Sequence, residues 1–193
     1  MKQQGFTLIE LLLALIMSGV LANLAVPSFV GLLESQQRQS AAHSLTNGLR
    51  FARTEAIAHN RAVVIHAFDD DWSRGWRVIL DTSGRGHLDD DNPVLLEHQD
   101  NGRVPIVGNG PVKSVVRFSG LGEPVFSGGG FRAGTVHVCA RDSAQSLHQV
   151  VLAPSGRISL RSDKAEQALC RSHSGTLALK AASEPAAPWA WRK

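Results

Sequence analysis

A single carboxylate, Glu10, stands inside the apolar N-terminal segment of this chain and is the one group there that can ionise. No charged residue follows it from Leu11 to Leu33. An ionisable group in such a segment costs roughly 2.5–3.5 kcal/mol on insertion scales and usually has a function. Cleavage after Gly5 would make Phe6 the new N-terminus, and its α-amino group could pair with Glu10 of the same or a neighbouring chain. The alternative is that Glu10 lies near a membrane interface and stays solvated.

The second candidate site is a basic strand near the end of the chain. In the stretch Gly156–Arg161, strand alternation puts Arg157, Ser159 and Arg161 on one face. This pattern fits either a solvated strand face or a weak contact to nucleic-acid phosphates, because two or three cations supply little affinity.

Acidic clusters raise the question of calcium. Aspartates fill positions 69–71 and 89–91, and residues 81–86 superficially resemble a calcium loop. However, Arg85 occupies a position where such a loop needs an oxygen ligand, and no glutamate closes the loop at the right spacing. Solvated turns are the favoured interpretation.

Catalytic patterns do not emerge from the remaining polar residues. The eight histidines have no paired metal-ligand spacing. No G-x-S-x-G nucleophile elbow occurs. The sequence therefore predicts neither an enzyme nor a site for a metal or cofactor.

Two cysteines, Cys139 and Cys170, lie outside any metal-like spacing. If the domain that carries them faces an oxidising compartment, a disulfide is favoured over two free thiols. The chain-entropy model gives such a bridge about 3–4 kcal/mol of stabilisation.

The candidate residues named above must be positioned by two kinds of element, helices and strands. The chain has 193 residues and a formal net charge of +3, which fits one anchored domain and identifies no partner. We predict a leader over 1–5, a transmembrane or filament-core helix over 6–33 and an amphipathic helix over 34–60. The last prediction depends on an apolar stripe at helical spacing, formed by Leu45, Leu49, Ala52 and Ala56.

After residue 60 the pattern changes to short or alternating apolar runs, which predicts a β-rich head over 61–170. The expected fold class is α+β, with one long N-terminal helix packed on an antiparallel sheet. Within Gly75–Leu80, alternation points Trp76, Val78 and Leu80 inward and Arg77 and Ile79 to the other face. Residues 171–193 are rich in Ala, Ser and Pro and are interpreted as a mobile tail.

The string Gly5-Phe6-Thr7-Leu8-Ile9-Glu10 resembles the processing site of type IV pilins and of type II secretion pseudopilins. The resemblance implies that a prepilin peptidase cuts after Gly5 and methylates Phe6. It also implies that Glu10 guides docking of the subunit into a helical filament.

Gly19 and Pro27 are poor helix residues within the apolar segment. Small residues can simply allow close helix packing. Alternatively, since pilins carry a glycine and a proline near these places, the resemblance implies a hinge segment that loses helicity on assembly.

The helix-to-strand junction over 49–65, followed by Trp72 and residues 75–81, resembles the H-type minor pseudopilins and the FimT/FimU minor pilins, the GspH/FimT family. The resemblance runs from Gly5 to about Leu160. It implies a structural subunit of the bacterial inner membrane with its head in the periplasm. The implied partners are the prepilin peptidase, other minor subunits and the major subunit.

The resemblance does not decide which of two assemblies the chain belongs to, the type II secretion pseudopilus or the type IV pilus. Some FimT-type pilins bind DNA through a G-R-x-R motif in the region of Arg157. This chain departs from that motif, because Ser159 stands where the second arginine should be and Arg161 is displaced along the strand.

Overall fold

The computed structural model describes residues 8–171, with side chains described at 8–21 and 29–171. The chain divides into two compact units, residues 1–37 and 38–193. The long helix, α1, runs from Leu8 to His59, and a short helical segment lies at residues 168–171. It ends where Asn60 adopts a left-handed conformation (φ 47°), which lets the Arg61 amide bond back to the Ala56 carbonyl. Within the described residues, no helix combines the length and the apolar content required to span a bilayer.

The predicted apolar stripe of the amphipathic helix is the buried face of α1. Leu45, Leu49, Ala52 and Ala56 are at most 2% exposed and belong to the core of the head. Full burial of each leucine contributes about 1.5–3 kcal/mol. The two alanines keep that face of the helix flat, so the strands can approach the helix backbone closely.

Ten strands follow α1 in the described part of the head. In chain order they are β1 (Val63–Ala67), β2 (Gly75–Leu80), β3 (Val94–Gln99), β4 (Ile106–Gly108), β5 (Val115–Phe118), β6 (Pro124–Val125), β7 (Gly134–Cys139), β8 (Gln145–Leu152), β9 (Ile158–Arg161) and β10 (Ala165–Glu166). Short 3₁₀ turns occur at Phe68–Asp70, Trp72–Arg74, Gly86–Leu88 and Gly110–Val112.

The strands form two antiparallel sheets where the sequence analysis predicts one. The first sheet has the order β3-β2-β1-β5-β6, and the second has the order β10-β8-β7-β4, with β9 also paired to β8. Both sheets contribute buried residues to one core with α1, including Val63, Ile65 and Phe118 from the first sheet and Val138 and Val150 from the second. The α+β fold class is therefore confirmed.

Part of the outer face of the first sheet is also covered. Trp76 and Val78 point into the core as predicted, but Ile79 on the other face is buried too, at 4% exposure. Val64, its register partner on β1, lies on that face as well. The loop over residues 81–93 crosses it, and the Cβ position of Gly86 is 3.8 Å from a Val64 methyl group.

Candidate assembly surfaces

Glu10 lies in the first turn of α1 and is exposed. Its neighbours on the helix, including Leu8, Ile9 and Leu11, are also exposed apolar side chains. A carboxylate in this position is favoured by the helix dipole, whose positive end is the N-terminus. Gly5 and Phe6 lie outside the described residues, as do the rest of the leader and the tail beyond Arg171. Pairing of Glu10 with the Phe6 amine therefore stays a prediction.

Gly19 and Pro27 lie inside the unbroken helix α1. Apart from its own helix backbone, a Cβ at Gly19 would meet no atom of the described residues within 4 Å, so no packing contact among those residues requires a glycine there. The proposed loss of helicity concerns the assembled filament, and it stays a prediction.

The helix and the sheet approach each other closely at Gly48, a residue that the sequence analysis did not single out. A Cβ built at Gly48 would lie 2.6 Å from Cζ2 of Trp76. The indole ring lies against the helix backbone and stacks on His98, with ring centroids 5.3 Å apart. Only glycine leaves room for this ring, so the pair Gly48–Trp76 sets how β2 lies on α1.

A buried ion pair stabilises residues 81–86 of the first sheet, the loop whose sequence superficially resembles a calcium loop. The Asp81 side chain is fully covered, and its Oδ2 pairs with Nη1 of Arg117 on β5. Its Oδ1 accepts the amide hydrogens of Gly84 and Gly86 at 2.9 and 3.1 Å. Asn92 closes the loop by donating to the Gly86 carbonyl at 2.8 Å. An arginine of the chain itself thus supplies the positive charge that this carboxylate needs.

Three of the clustered aspartates make local side-chain contacts. Asp69 pairs with Arg74, and the Asp71 carboxylate accepts the Ser73 amide hydrogen at 2.9 Å. Asp89 accepts the amide hydrogen of Asp91. Within the part of the chain that the structure describes, no three His, Cys, Asp or Glu side chains converge as a metal site would require.

The basic strand has the predicted alternation. Ile158 is 8% exposed, Leu160 packs against the core, and Arg157 and Arg161 are exposed. Arg161 pairs with Asp163 at 3.3 Å, which offsets part of its charge. Arg50 of α1 reaches the same strand and donates to the Ile158 carbonyl at 3.5 Å. The structure thus adds a third arginine beside this strand, although DNA binding itself stays a prediction.

The predicted disulfide between Cys139 and Cys170 is present, with Cα atoms 5.5 Å apart. It fastens the segment after β9 to the end of β7.

Next to the disulfide, Nδ1 of the buried His137 lies 3.0 Å from Ser146 Oγ, and Nε2 lies 3.2 Å from the amide nitrogen of Gln167. Burial lowers the pKa of the His137 imidazole below its usual value. A neutral ring with its proton on Nδ1 satisfies both contacts, because the glutamine NH₂ can only donate.

Comparisons with known proteins agree with this architecture. Residues 41–156 match the family model described as type II transport protein GspH, and residues 1–22 match the prokaryotic N-terminal methylation motif. No curated protein sequence gives a significant match.

Two solved structures share the fold, and both are crystal forms of the type IV minor pilin FimU of Pseudomonas aeruginosa. The P21 form is 25% identical with a TM-score of 0.53, covering 71% of this chain and 97% of that one. The P65 form is 24% identical with a TM-score of 0.52, covering 68% of this chain and 98% of that one. Because the family model spans more than half of its residues, including the helix face and both sheets of the core, this chain is a member of the GspH family of pilin-like proteins.

Proposed function

We propose that this chain is a minor structural subunit of the periplasmic pseudopilus of a type II secretion system, without catalysis of its own. The observation that carries the proposal is the match of residues 41–156, most of the described head, to the family of type II transport protein GspH. In this function α1 supplies the filament core and the head supplies lateral contacts to other minor subunits and the major subunit.

The route to the filament begins in the inner membrane. The uncharged stretch from Leu11 to Leu33 supports insertion with the head in the periplasm. The match of residues 1–22 to the methylation motif supports cleavage after Gly5 by a prepilin peptidase and methylation of Phe6. Intact-mass analysis of the protein from its native host tests this step. Loss of the first five residues and addition of one methyl group are expected, and an unprocessed N-terminus would contradict the proposal.

Glu10 is proposed to guide docking by pairing with the new α-amino group of Phe6. Glu10→Gln keeps the size of the side chain and removes its charge, so we expect normal cleavage but reduced recovery of the subunit in filaments. Glu10→Asp is the matched control, since it retains the carboxylate and is expected to retain part of the incorporation. Equal incorporation of Glu10→Gln and the wild-type chain would refute this role.

The alternative machine is a type IV pilus, in which the chain would act as a minor pilin that primes assembly. The shared fold with the type IV minor pilin FimU, at a TM-score of 0.53, supports this alternative. A deletion strain separates the two. Loss of secreted substrate proteins with normal surface pili supports the pseudopilus, and loss of pili with normal secretion supports the pilus. The deletion must be complemented by the wild-type gene in either case.

A second candidate function is DNA binding by the head. It is favoured by the exposed Arg157 and Arg161 on one face and by Arg50 beside them. Titration of the full-length protein with duplex DNA at several salt concentrations tests it, since phosphate contacts give a salt-dependent affinity. We expect Arg157→Gln to weaken binding, with Arg103→Gln as a matched exposed control. Affinity that is absent, or unchanged in Arg157→Gln, would exclude this function.

A further inference from the structure

An open groove with a volume of about 450 Å³ lies at the end of the head where α1 stops. Within the head, α1 extends from Arg38 to His59, which is about 32 Å at a rise of 1.5 Å per residue. Residues 60–62, which follow the helix directly, form one wall of the groove. The groove therefore lies at the end of the head opposite to the end where the helix enters.

The second wall is the turn between β5 and β6, which glycines allow to lie close against the end of the helix. A Cβ at Gly120 would lie 2.8 Å from the carbonyl carbon of Asn60. A Cβ at Gly122 would lie 2.7 Å from a methyl group of Ile57. Arg53 of α1 also donates from Nε to the Gly122 carbonyl at 3.0 Å. Because contacts within the chain hold both walls, a ligand would need to order little of the groove on binding.

Three apolar side chains line the groove. Leu121 is 78% exposed, Phe126 is 39% exposed, and Val125 is half-buried. The backbone of β6 is already paired on both sides, with β5 and through the bridge between Val125 and Phe131. A partner would therefore bind these side chains rather than add a strand to the sheet. Exposed apolar clusters beside polar groups commonly mark such binding surfaces.

Arg61 supplies positive charge to the groove. Its side chain is exposed, and no carboxylate of the described residues forms an ion pair with it. Arg117 also lines the groove, but the buried Asp81 carboxylate neutralises it. The segments 60–62 and 117–132 contain one carboxylate, Glu123, which is not among the described residues that line the groove. Arg61 is thus available to a negatively charged ligand.

A second arginine without a counter-charge lies next to the groove. The Arg132 guanidinium stacks on the ring of the groove residue Phe126, 4.5 Å from its centroid. Arg132 is 9% exposed, and its Nε has no hydrogen-bond partner among the described residues. Burial lowers the pKa of this guanidinium. Since water and salt screen a buried charge less than an exposed one, Arg132 adds to the positive potential around Phe126.

We propose that this groove binds a segment of a different protein in which an apolar side chain lies next to an aspartate or a glutamate. The apolar side chain would contact Leu121, Val125 and Phe126, and the carboxylate would pair with Arg61. The partner is another subunit of the filament, and this part of the inference rests on the proposed function. The chemistry of the groove, an apolar surface beside an unpaired arginine, is a property of this chain itself.

Site-specific photo-crosslinking in the native host tests the docking. Leu121 of the full-length chain is replaced by the photoreactive residue benzoylphenylalanine. Irradiation is expected to join it to a peptide of another protein with an N-terminal methylation motif, and mass spectrometry should find an aspartate or glutamate beside an apolar residue in that peptide. The same replacement at Lys164, an exposed residue between β9 and β10, is the matched control and should not capture this peptide.

A charge exchange tests the role of Arg61. Arg61→Glu is expected to lower the cross-linked yield roughly fivefold or more, because it places like charges together. Arg61→Lys retains the charge and should keep most of the yield. Replacement of the carboxylate in the captured peptide by arginine should restore the yield of Arg61→Glu, which a merely misfolded variant would not allow. Lys164→Glu is the control for an exposed charge reversal and should leave the yield unchanged.

Four results would overturn the proposal. They are no cross-link at position 121, a cross-link to a second copy of this chain, a captured peptide without a carboxylate, and full yield in Arg61→Glu. The proposed function fails separately. Charge-dependent capture of a protein that is not a filament subunit, with normal secretion and pili in the deletion strain, would refute the filament function alone. A secretion or pilus defect in that strain without a cross-link would refute the docking alone.

Discussion

Replacement of Gly48 by alanine tests whether the indole of Trp76 sets the distance between helix and sheet. Two opposing effects follow from one added methyl group. Alanine is favoured over glycine in a helix interior by about 1 kcal/mol. Against this, the new Cβ would lie 2.6, 2.7 and 2.9 Å from three atoms of the indole ring, closer than carbon atoms can pack.

The overpacking term is the larger one. Extra carbons in a packed core typically cost about 1–3 kcal/mol. The cost should be near the upper end here, because the ring is 5% exposed, rigid and held between α1 and His98. The net expectation is a loss of about 1–2 kcal/mol in the free energy of unfolding. For a domain of this size that corresponds to a melting temperature lower by roughly 3–8 °C.

The measurement is urea unfolding of the full-length protein in detergent, followed by far-ultraviolet circular dichroism. Gly31→Ala is the matched control, since Gly31 is also helical but, apart from its own helix backbone, no atom of the described residues lies within 4 Å of its Cβ position. It should be neutral or slightly stabilising. The double variant with Trp76→Phe removes part of the ring and should show a favourable coupling energy with Gly48→Ala. Unchanged or increased stability of Gly48→Ala, or strict additivity with Trp76→Phe, would refute the reasoning.

Three further predictions concern the head. Reduction of the Cys139–Cys170 bridge, which closes a sequence separation of 31 residues, should lower the free energy of unfolding by about 3–4 kcal/mol in denaturant titrations. A double cysteine-to-alanine variant should be insensitive to reductant. Asp81→Asn should cost about 3–5 kcal/mol, since it leaves Arg117 largely buried without its counter-charge. Asp81→Asn combined with Arg117→Met should recover part of the loss, and equal stability of the single and double variants would contradict the pairing. Stability should fall as the pH drops below about 6.5, because burial lowers the pKa of His137 in the folded state and the unfolded chain binds the proton more tightly. His137→Gln should flatten this part of the pH profile, and an unchanged profile would assign the effect elsewhere.

Local pattern was sufficient for the main elements of the head. The buried stripe of Leu45 and Leu49 on α1, and the inward direction of Trp76 and Val78 on β2, follow from periods of 3.6 and 2 that are visible within a few residues. The pairing of Cys139 with Cys170 was predictable because only two cysteines exist. The N-terminal motif around Gly5 and Glu10 is likewise a local string, and it predicted a pilin-like protein before any fold was considered.

What the sequence could not decide is which distant residues meet. The division of the strands into two sheets depends on the order in which strands pair, and the two-residue strands β6 and β10 have too few residues to show a period. Ile79 alternates outward from the core and is nevertheless buried, on the face where the loop over 81–93 approaches its register partner Val64.

By itself, then, the sequence determined the long helix, the alternating strands and the processing motif, because each depends on a pattern among residues that are close together in the chain. Tertiary structure alone decided that Gly48 lies against Trp76 and that Asp81 is paired with Arg117. The members of the two pairs are 28 and 36 residues apart in the chain, and neither pair lies within one helix or strand. No local period links such residues, and their contacts exist only because packing of the strands on α1 and on one another brings them together.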